Sequence, residues 1–282
     1  MSALPATSIC RRSLAPRARG FTLVELMVAI LIGLFLTGGL LTLVQTLKRT
    51  AGTQNAMSQL QDNERMAMTL IADVIQSSGY WPNPLAQAAA AEFPTVPVFA
   101  VNGQNVSFAT AGQTIVGAGG YNDAVPDQLV VVRYATSGTD NVIDCTGNTW
   151  AAPGGVLVNA FFLQPDPVSP TTYDLMCAVN PNVAGGPAPV QLVSGITNMQ
   201  IYYGVQTNPA VSNNSVDSYL DGNTVTANGY WPNVLSVRIK ITFKNPLVGN
   251  KSGLGQMQTT GMPATVSYER TIDLMSRTGV TT

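Results

Sequence analysis

The stretch Arg17-Ala-Arg-Gly20-Phe21-Thr-Leu-Val-Glu25-Leu-Met-Val-Ala-Ile30 sets a single carboxylate four residues inside a long apolar run. From Leu26 onward no charge appears until Lys48, which leaves 22 uncharged residues. As a helix those residues rise about 33 Å, enough to cross a bilayer. An ionisable group within such a span is costly and is a functional suspect by default. Glu25 is that group.

Ahead of the run lies a basic segment with Arg11, Arg12, Arg17 and Arg19, and the small residue Gly20 stands between it and the apolar core. A secretory signal has its small-residue cleavage site beyond the apolar core, so that cleavage releases the protein. Here the order is inverted, and a cut after Gly20 leaves the anchor attached. This arrangement resembles the class III leader of type IV prepilins. The resemblance implies cleavage after Gly20 by a prepilin peptidase, methylation of Phe21 as the new terminus, and Glu25 as the glutamate of the fifth mature position. In that family the glutamate pairs with the terminal amine of a neighbouring subunit, neutralising two charges that lipid solvates poorly. The alternative is a plain signal anchor in which Glu25 is an accident near the membrane edge.

Composition points to an exported, assembling protein. There is no histidine, only 10% of the residues are charged, and 26 Gly and 18 Pro suggest a turn-rich β domain. Without histidine a Ser or Cys nucleophile needs another base, and no motif offers one, so no enzyme activity is expected. Loss of residues 1–20 removes four of the 14 basic residues and no acid, leaving 10 against 15 and a net charge of −5. The remaining cations are scattered, with no nucleic-acid surface. The leader arginines favour a cytoplasmic N-terminus, although Lys48 and Arg49 beyond the span weaken that bias. Of three cysteines, Cys10 lies in the leader, and Cys145 and Cys177 remain. Two cysteines in an oxidising compartment usually bridge, and two buried thiols are the alternative.

Past Lys48 the apolar residues turn periodic: Met57, Leu60, Ala67, Met68, Ile71, Val74 and Ile75 fall at helical spacing, with Gln54, Gln61, Asp62, Arg65, Asp73 and Gln76 on other faces. One helix from Phe21 to Ser78 is expected, its first part (21–47) transmembrane and its second (48–78) amphipathic, stopped by Gly79-Tyr-Trp-Pro82. Gly33, Gly38 and Gly39 read as close packing or simple tolerance inside a span rather than as a hinge. Residues 79–282 read as strands at 96–101, 128–135, 155–164, 171–179, 190–205, 235–243 and 265–274, with loops at 86–91 and 180–189. The pentapeptide Gly79-Tyr-Trp-Pro-Asn83 recurs as Gly229-Tyr-Trp-Pro-Asn233, which reads as chance plus turn preference. The fold class is α+β, with a long N-terminal helix packed on an antiparallel sheet.

A second resemblance lies in the C-terminal half. Leu192-Val-Ser-Gly195-Ile-Thr-Asn-Met199-Gln-Ile-Tyr-Tyr-Gly204-Val, Trp231-Pro-Asn-Val-Leu-Ser-Val-Arg238-Ile and Tyr268-Glu-Arg-Thr271, with Leu60-Gln-Asp-Asn-Glu-Arg65, resemble the PilW family of type IV minor pilins. In that family a strand leads into a Tyr-Gly turn. The resemblance implies a minor pilin that enters a type IV pilus by helix packing and helps start or cap it. Its partners would be other minor and major pilins, the prepilin peptidase, an inner-membrane assembly platform and membrane lipid, with no nucleic acid and no cofactor. The chain would sit in the inner membrane with its head in the periplasm and then in the pilus. A minor pseudopilin of a type II secretion system and a surface adhesin are the alternatives. Asp217 and Asp221 with Asn213, Asn214 and Asn223 offer oxygens for calcium, but their spacing matches no EF-hand loop, and an Asp/Asn-rich turn is the simpler account.

Overall fold

The computed structural model describes residues 20–120, 128–150, 155–208, 215–248 and 262–275. Cys10, the leader arginines, Asn213 and Asn214 lie outside the described residues. The chain divides into two compact units, one up to Gly52 and one from Thr53 onward. Helix α1, Leu23–Gln76, contributes to both. It begins and ends two residues inside the expected limits.

In the first unit the apolar part of α1 has no buried residue, and its mean hydropathy reaches 2.5. In the second unit the helix follows its periodicity. Leu60, Ala67, Met68, Ile71, Ala72, Val74 and Ile75 are buried in the head core, while Met57 is half-buried. The stop comes at Gly79, whose φ of 77° is left-handed, the conformation that glycine adopts most readily after a helix. The Gly79 N–H donates to Arg133 O at 2.9 Å, and the Ala135 N–H donates to Tyr80 O at 2.7 Å. The helix exit is thereby bonded to the sheet.

Strands β1 (Val96–Val101) and β2 (Gln104–Phe108) form a separate hairpin. It turns on Asn102 and Gly103, both with positive φ, as a two-residue hairpin loop of that sequence prefers. The main sheet is antiparallel and holds β3 (Ile115–Ala118), β4 (Leu129–Thr136), β5 (Gly155–Pro165), β6 (Tyr173–Val179), β7 (Val190–Val205), β9 (Val234–Lys244) and β10 (Thr265–Asp273) in the order β10-β9-β7-β6-β5-β4-β3. Strand β8 (Ser218–Leu220) pairs with the end of β7. All seven expected strands are present. Strands β2, β3 and β8 were not foreseen, and neither were helices α2 (Ala89–Glu92) and α3 (Gly222–Asn228), the former overlapping the segment 86–91 read as a loop.

Strand β7 governs the shape of the sheet. Its first part pairs with β6 and its second with β9, and the register shifts around Gly195, whose φ is +81°. Beyond that bulge the sheet curls until β7 meets the start of β4. Gln128 Oε1 accepts the Ile201 N–H at 3.2 Å, and the buried Tyr203 hydroxyl donates to Leu129 O at 3.0 Å. Tyr203 and Gly204 therefore belong to a strand and not to the turn implied by the family resemblance, because β8 and β9 pair with them on either side. Gly117 makes the closure sterically possible, since a Cβ there would overlap the Tyr203 hydroxyl and lie 2.5 Å from Leu129 O.

The repeated pentapeptide has one local role in both places. Gly79 and Gly229 each take a left-handed φ at the end of a helix. Each following tryptophan then packs edge-on against an aromatic ring, Trp81 on Phe93 at 5.9 Å and Trp231 on Tyr203 at 4.8 Å. Turn preference thus accounts for its glycine, and aromatic packing for its tryptophan.

Cys145 and Cys177 form a disulfide with a Cα separation of 6.1 Å and a sequence separation of 32. It joins the 140–150 loop to β6. Closing a loop of that length stabilises a domain by about 3–4 kcal/mol in the chain-entropy treatment. Replacing both cysteines by serine should lower the unfolding free energy of the solubilised protein, extrapolated from urea denaturation, by that amount, and a non-reducing peptide map of the parent should join the two peptides. Gly117→Ala should cost about 1–3 kcal/mol through overpacking, whereas Gly33→Ala, with no atom within 4 Å of the new Cβ, should cost nothing. Denaturation of the two variants side by side checks the contrast.

Candidate assembly interface

At the start of α1 the backbone is organised by Thr22. Its hydroxyl accepts the Glu25 N–H at 3.2 Å, and its carbonyl accepts the Leu26 N–H at 3.1 Å. Thr22-Leu-Val-Glu25 has the spacing of a capping box, in which a threonine cap and a glutamate three residues on satisfy the first free N–H groups of a helix. The spacing was legible in the sequence and was overlooked beside the leader pattern. A carboxylate in the first turn also lies favourably at the positive end of the helix dipole. Glu25 is thus placed by local helix physics at the first turn of the apolar segment, exposed on its surface.

Gly20 and Phe21 precede the helix, and Phe21 is 80% exposed. Around Gly20 no atom of the described residues lies within 4 Å of the place a Cβ would take, and its φ is not in the left-handed region. The described part of the fold does not require glycine at that position.

From Leu23 to Leu47 the side chains are exposed on all sides, including Phe35 at 84%. The threonines among them are satisfied from within. Thr37 Oγ1 donates to Gly33 O at 2.8 Å, Thr42 Oγ1 to Gly39 O at 2.8 Å, and Thr46 Oγ1 to Thr42 O at 2.9 Å. Such back-bonding removes the hydroxyl's need for water, the condition for entering hydrocarbon. Among the described residues nothing lies within 4 Å of a Cβ placed on Gly33, Gly38 or Gly39. They leave small indentations of the kind through which membrane helices approach closely.

In the head, the oxygens considered for calcium are engaged separately. The Asp221 carboxylate caps α3 by accepting the Thr224 N–H at 2.8 Å and its hydroxyl at 2.9 Å. Asp217 accepts the Thr207 N–H and hydroxyl at 2.9 and 3.0 Å, and Asn223 Oδ1 accepts the Gly119 N–H at 3.3 Å. Asp221 thus caps a helix, Asp217 holds the loop between β7 and β8, and Asn223 ties α3 to the residue after β3. No group of three or more metal-ligating acidic, His or Cys side chains occurs among the described residues.

Sequence reasoning also missed Arg133. It is 1% exposed, and its guanidinium donates to Gln113 O and Pro94 O at 2.6 Å and to Phe93 O at 3.2 Å. The group lies over the Phe108 and Phe93 rings at 4.2 and 5.5 Å. Burial lowers its pKa to about 10, which leaves it charged at neutral pH. A lone arginine inside Leu129-Val-Val-Val-Arg-Tyr-Ala135 was the available sign.

Two family models match the chain. Residues 16–41 match the prokaryotic N-terminal methylation motif, and residues 160–278 match the family described as type IV pilus-assembly protein W. The chain is a type IV pilin-like protein. Within that class it is PilW-like, with the matched region running from the middle of β5 past the end of β10. Among solved structures, a type IV-like pilin from Thermus thermophilus aligns at 10% identity with a TM-score of 0.39, covering 77% of this chain and 97% of that one. No curated protein sequence matches the chain. The methylation motif and the apolar helix together give membrane anchoring and a pilus association.

Gly20 has open surroundings among the described residues, so a larger side chain there should leave the described fold undisturbed. Gly20→Leu should leave the head disulfide intact and leave the leader attached, while the parent should carry N-methyl-Phe21. Intact-mass measurement of the membrane-purified protein distinguishes the two.

Proposed function

We propose that the chain is a minor pilin, inserted in the inner membrane with its head in the periplasm, processed between Gly20 and Phe21 by a prepilin peptidase, and drawn into a type IV pilus through helix packing, where it helps start or cap the fibre. The observation that carries this reading is the apolar surface of α1 from Leu23 to Leu47, exposed throughout, with one carboxylate, Glu25, in its first turn. Such a surface is stable only in lipid or against other apolar helices. A PilW-type head on that anchor supports membership of the minor set.

In this reading residues 1–20 are a leader, 21–47 anchor and then pack, 48–78 join the anchor to the head, and 79–282 form the head. The work is assembly and not turnover. Partners are other minor and major pilins and the assembly platform in the inner membrane. Glu25 meets the Phe21 amine of a neighbouring subunit once both are free in the membrane, and that pairing sets the axial register. An amine and a carboxylate gain most from pairing where water is scarce, and removing one partner leaves the other exposed to the full cost of desolvation.

Glu25→Gln keeps size and hydrogen bonding and removes the charge. The variant should insert and be cleaved as the parent is, yet its recovery in sheared pili or cross-linked minor-pilin complexes should fall by about tenfold or more, as for loss of one member of a buried charge pair. Immunoblots for the mature form and for the pilus fraction of the same cells measure both. Incorporation equal to that of the parent would show that the charge pair is dispensable.

A further inference from the structure

We propose that the end of the β5–β6 hairpin holds a calcium ion, with the carboxylates of Asp174 and Asp166 as its charged ligands. The site lies in the head, apart from Asp217 and Asp221, and stands whether or not the chain enters a pilus.

Strands β5 and β6 stay in register to the end of the hairpin, with Gln164 opposite Asp174 and Pro165 opposite Tyr173. The Asp166 N–H then donates to Thr172 O at 3.1 Å. Because side chains alternate between the faces of a sheet, Gln164, Asp166, Thr172 and Asp174 share one face, and Asp166 stands diagonally across from Asp174. Thr172 and Asp174 are buried, each 6% exposed.

The two carboxylates are engaged unequally. Asp166 closes the turn: its Oδ1 accepts the Val168 N–H at 2.8 Å and the Ser169 N–H at 3.2 Å, and its Oδ2 accepts the Thr172 hydroxyl at 3.1 Å. Asp174 Oδ1 is wholly buried and accepts no hydrogen bond. Since an ionised carboxylate has about four acceptor positions, Asp166 keeps room for one more partner and Asp174 Oδ1 is open altogether.

A buried carboxylate oxygen without a donor is costly, and a second carboxylate facing it adds repulsion. Among the described residues neither aspartate forms an ion pair with Lys or Arg. Burial, and after it the charge of Asp166, push the Asp174 pKa up, while the Val168 N–H and the other turn donors hold that of Asp166 below the usual carboxylate range. A cation between the two removes both penalties at once.

The donor set selects the ion. Two carboxylates, the Thr172 hydroxyl and the Gln164 amide offer oxygen, which suits a hard cation. Calcium accepts six to eight oxygens in irregular arrangements, with water completing the shell, whereas magnesium demands a near-ideal octahedron. With two charged ligands the affinity belongs in the weak range of extracellular calcium modules, about 10⁻⁴–10⁻³ M.

Calcium titration of the detergent-solubilised full chain, followed by calorimetry and by thermal unfolding, tests the site, with magnesium as the comparison ion. The parent should bind one calcium in that range and unfold at a higher temperature once calcium exceeds the dissociation constant. Asp174→Asn keeps the shape and removes the charge, so it should weaken binding by about tenfold or more and lose the thermal shift. In calcium-free buffer the same variant should unfold no lower than the parent, because the repulsion with Asp166 is gone, and this separates a lost ligand from a lost fold. Asp217→Asn should bind calcium as the parent does. No binding by the parent, equal binding by Asp174→Asn, or an equal response to magnesium overturns the proposal. A parent that ignores calcium and is stabilised as pH falls through the carboxylate range holds a proton on Asp174 in place of the ion, which overturns it too.

Discussion

The head is held together at the point where α1 leaves its helix and meets β4, and Arg133 is the group that fixes that point. Its carbonyl accepts the Gly79 N–H, its own N–H donates to Thr114 O, and its guanidinium gathers the carbonyls of Phe93, Pro94 and Gln113. One residue therefore ties the helix exit, the segment before the β1–β2 hairpin and the entry to β3. Charge buried without a carboxylate is tolerable only when carbonyls and ring faces replace water, and here both do. A lysine could not span three carbonyls from a planar fork. The neighbouring Tyr134 faces the other way and donates to Ile143 O at 2.6 Å, so adjacent residues of one strand secure opposite faces of the sheet.

Much of this architecture was legible because the strong patterns are physical. Twenty-two uncharged residues, the change from a continuous to a periodic apolar pattern, and the alternation of Val237, Ile239, Ile241 and Phe243 each follow from where water is excluded. The missing elements lack such patterns. Strand β3 is four residues with a glycine in it, and β2 is mostly polar. Helix α3 is Gly-Asn-Thr-Val-Thr-Ala-Asn, which has little intrinsic helix propensity and depends on its Asp221 cap and on packing against β3 and β7. Gly117 shows the same limit. Its importance lies in Tyr203, 86 residues away in sequence, and no local reading connects them.

The functional region divides in the same way. Gly20, Phe21 and Glu25 are adjacent in the chain, so a linear pattern could expose them. By contrast, Leu60–Arg65 and Tyr268–Thr271 lie about 200 residues apart in sequence, and the packing of α1 beside β10 within the second unit brings them to one open groove. Asp217 and Asp221 make the converse case: four residues apart in sequence, they serve different turns.

The threonine bonds in the apolar helix also govern what happens when the helix changes surroundings. Thr37, Thr42 and Thr46 each donate to a carbonyl of their own helix. No hydroxyl among them has to surrender a lipid-side or protein-side partner when the helix moves sideways. Exchange of acyl chains for neighbouring helices then alters dispersion contacts and little else along most of its length. The directional bonding is carried along unchanged, as internal wiring. A segment built in this way is thermodynamically portable, and its commitment to one location falls to the few groups, at its ends, whose partners have to be found elsewhere.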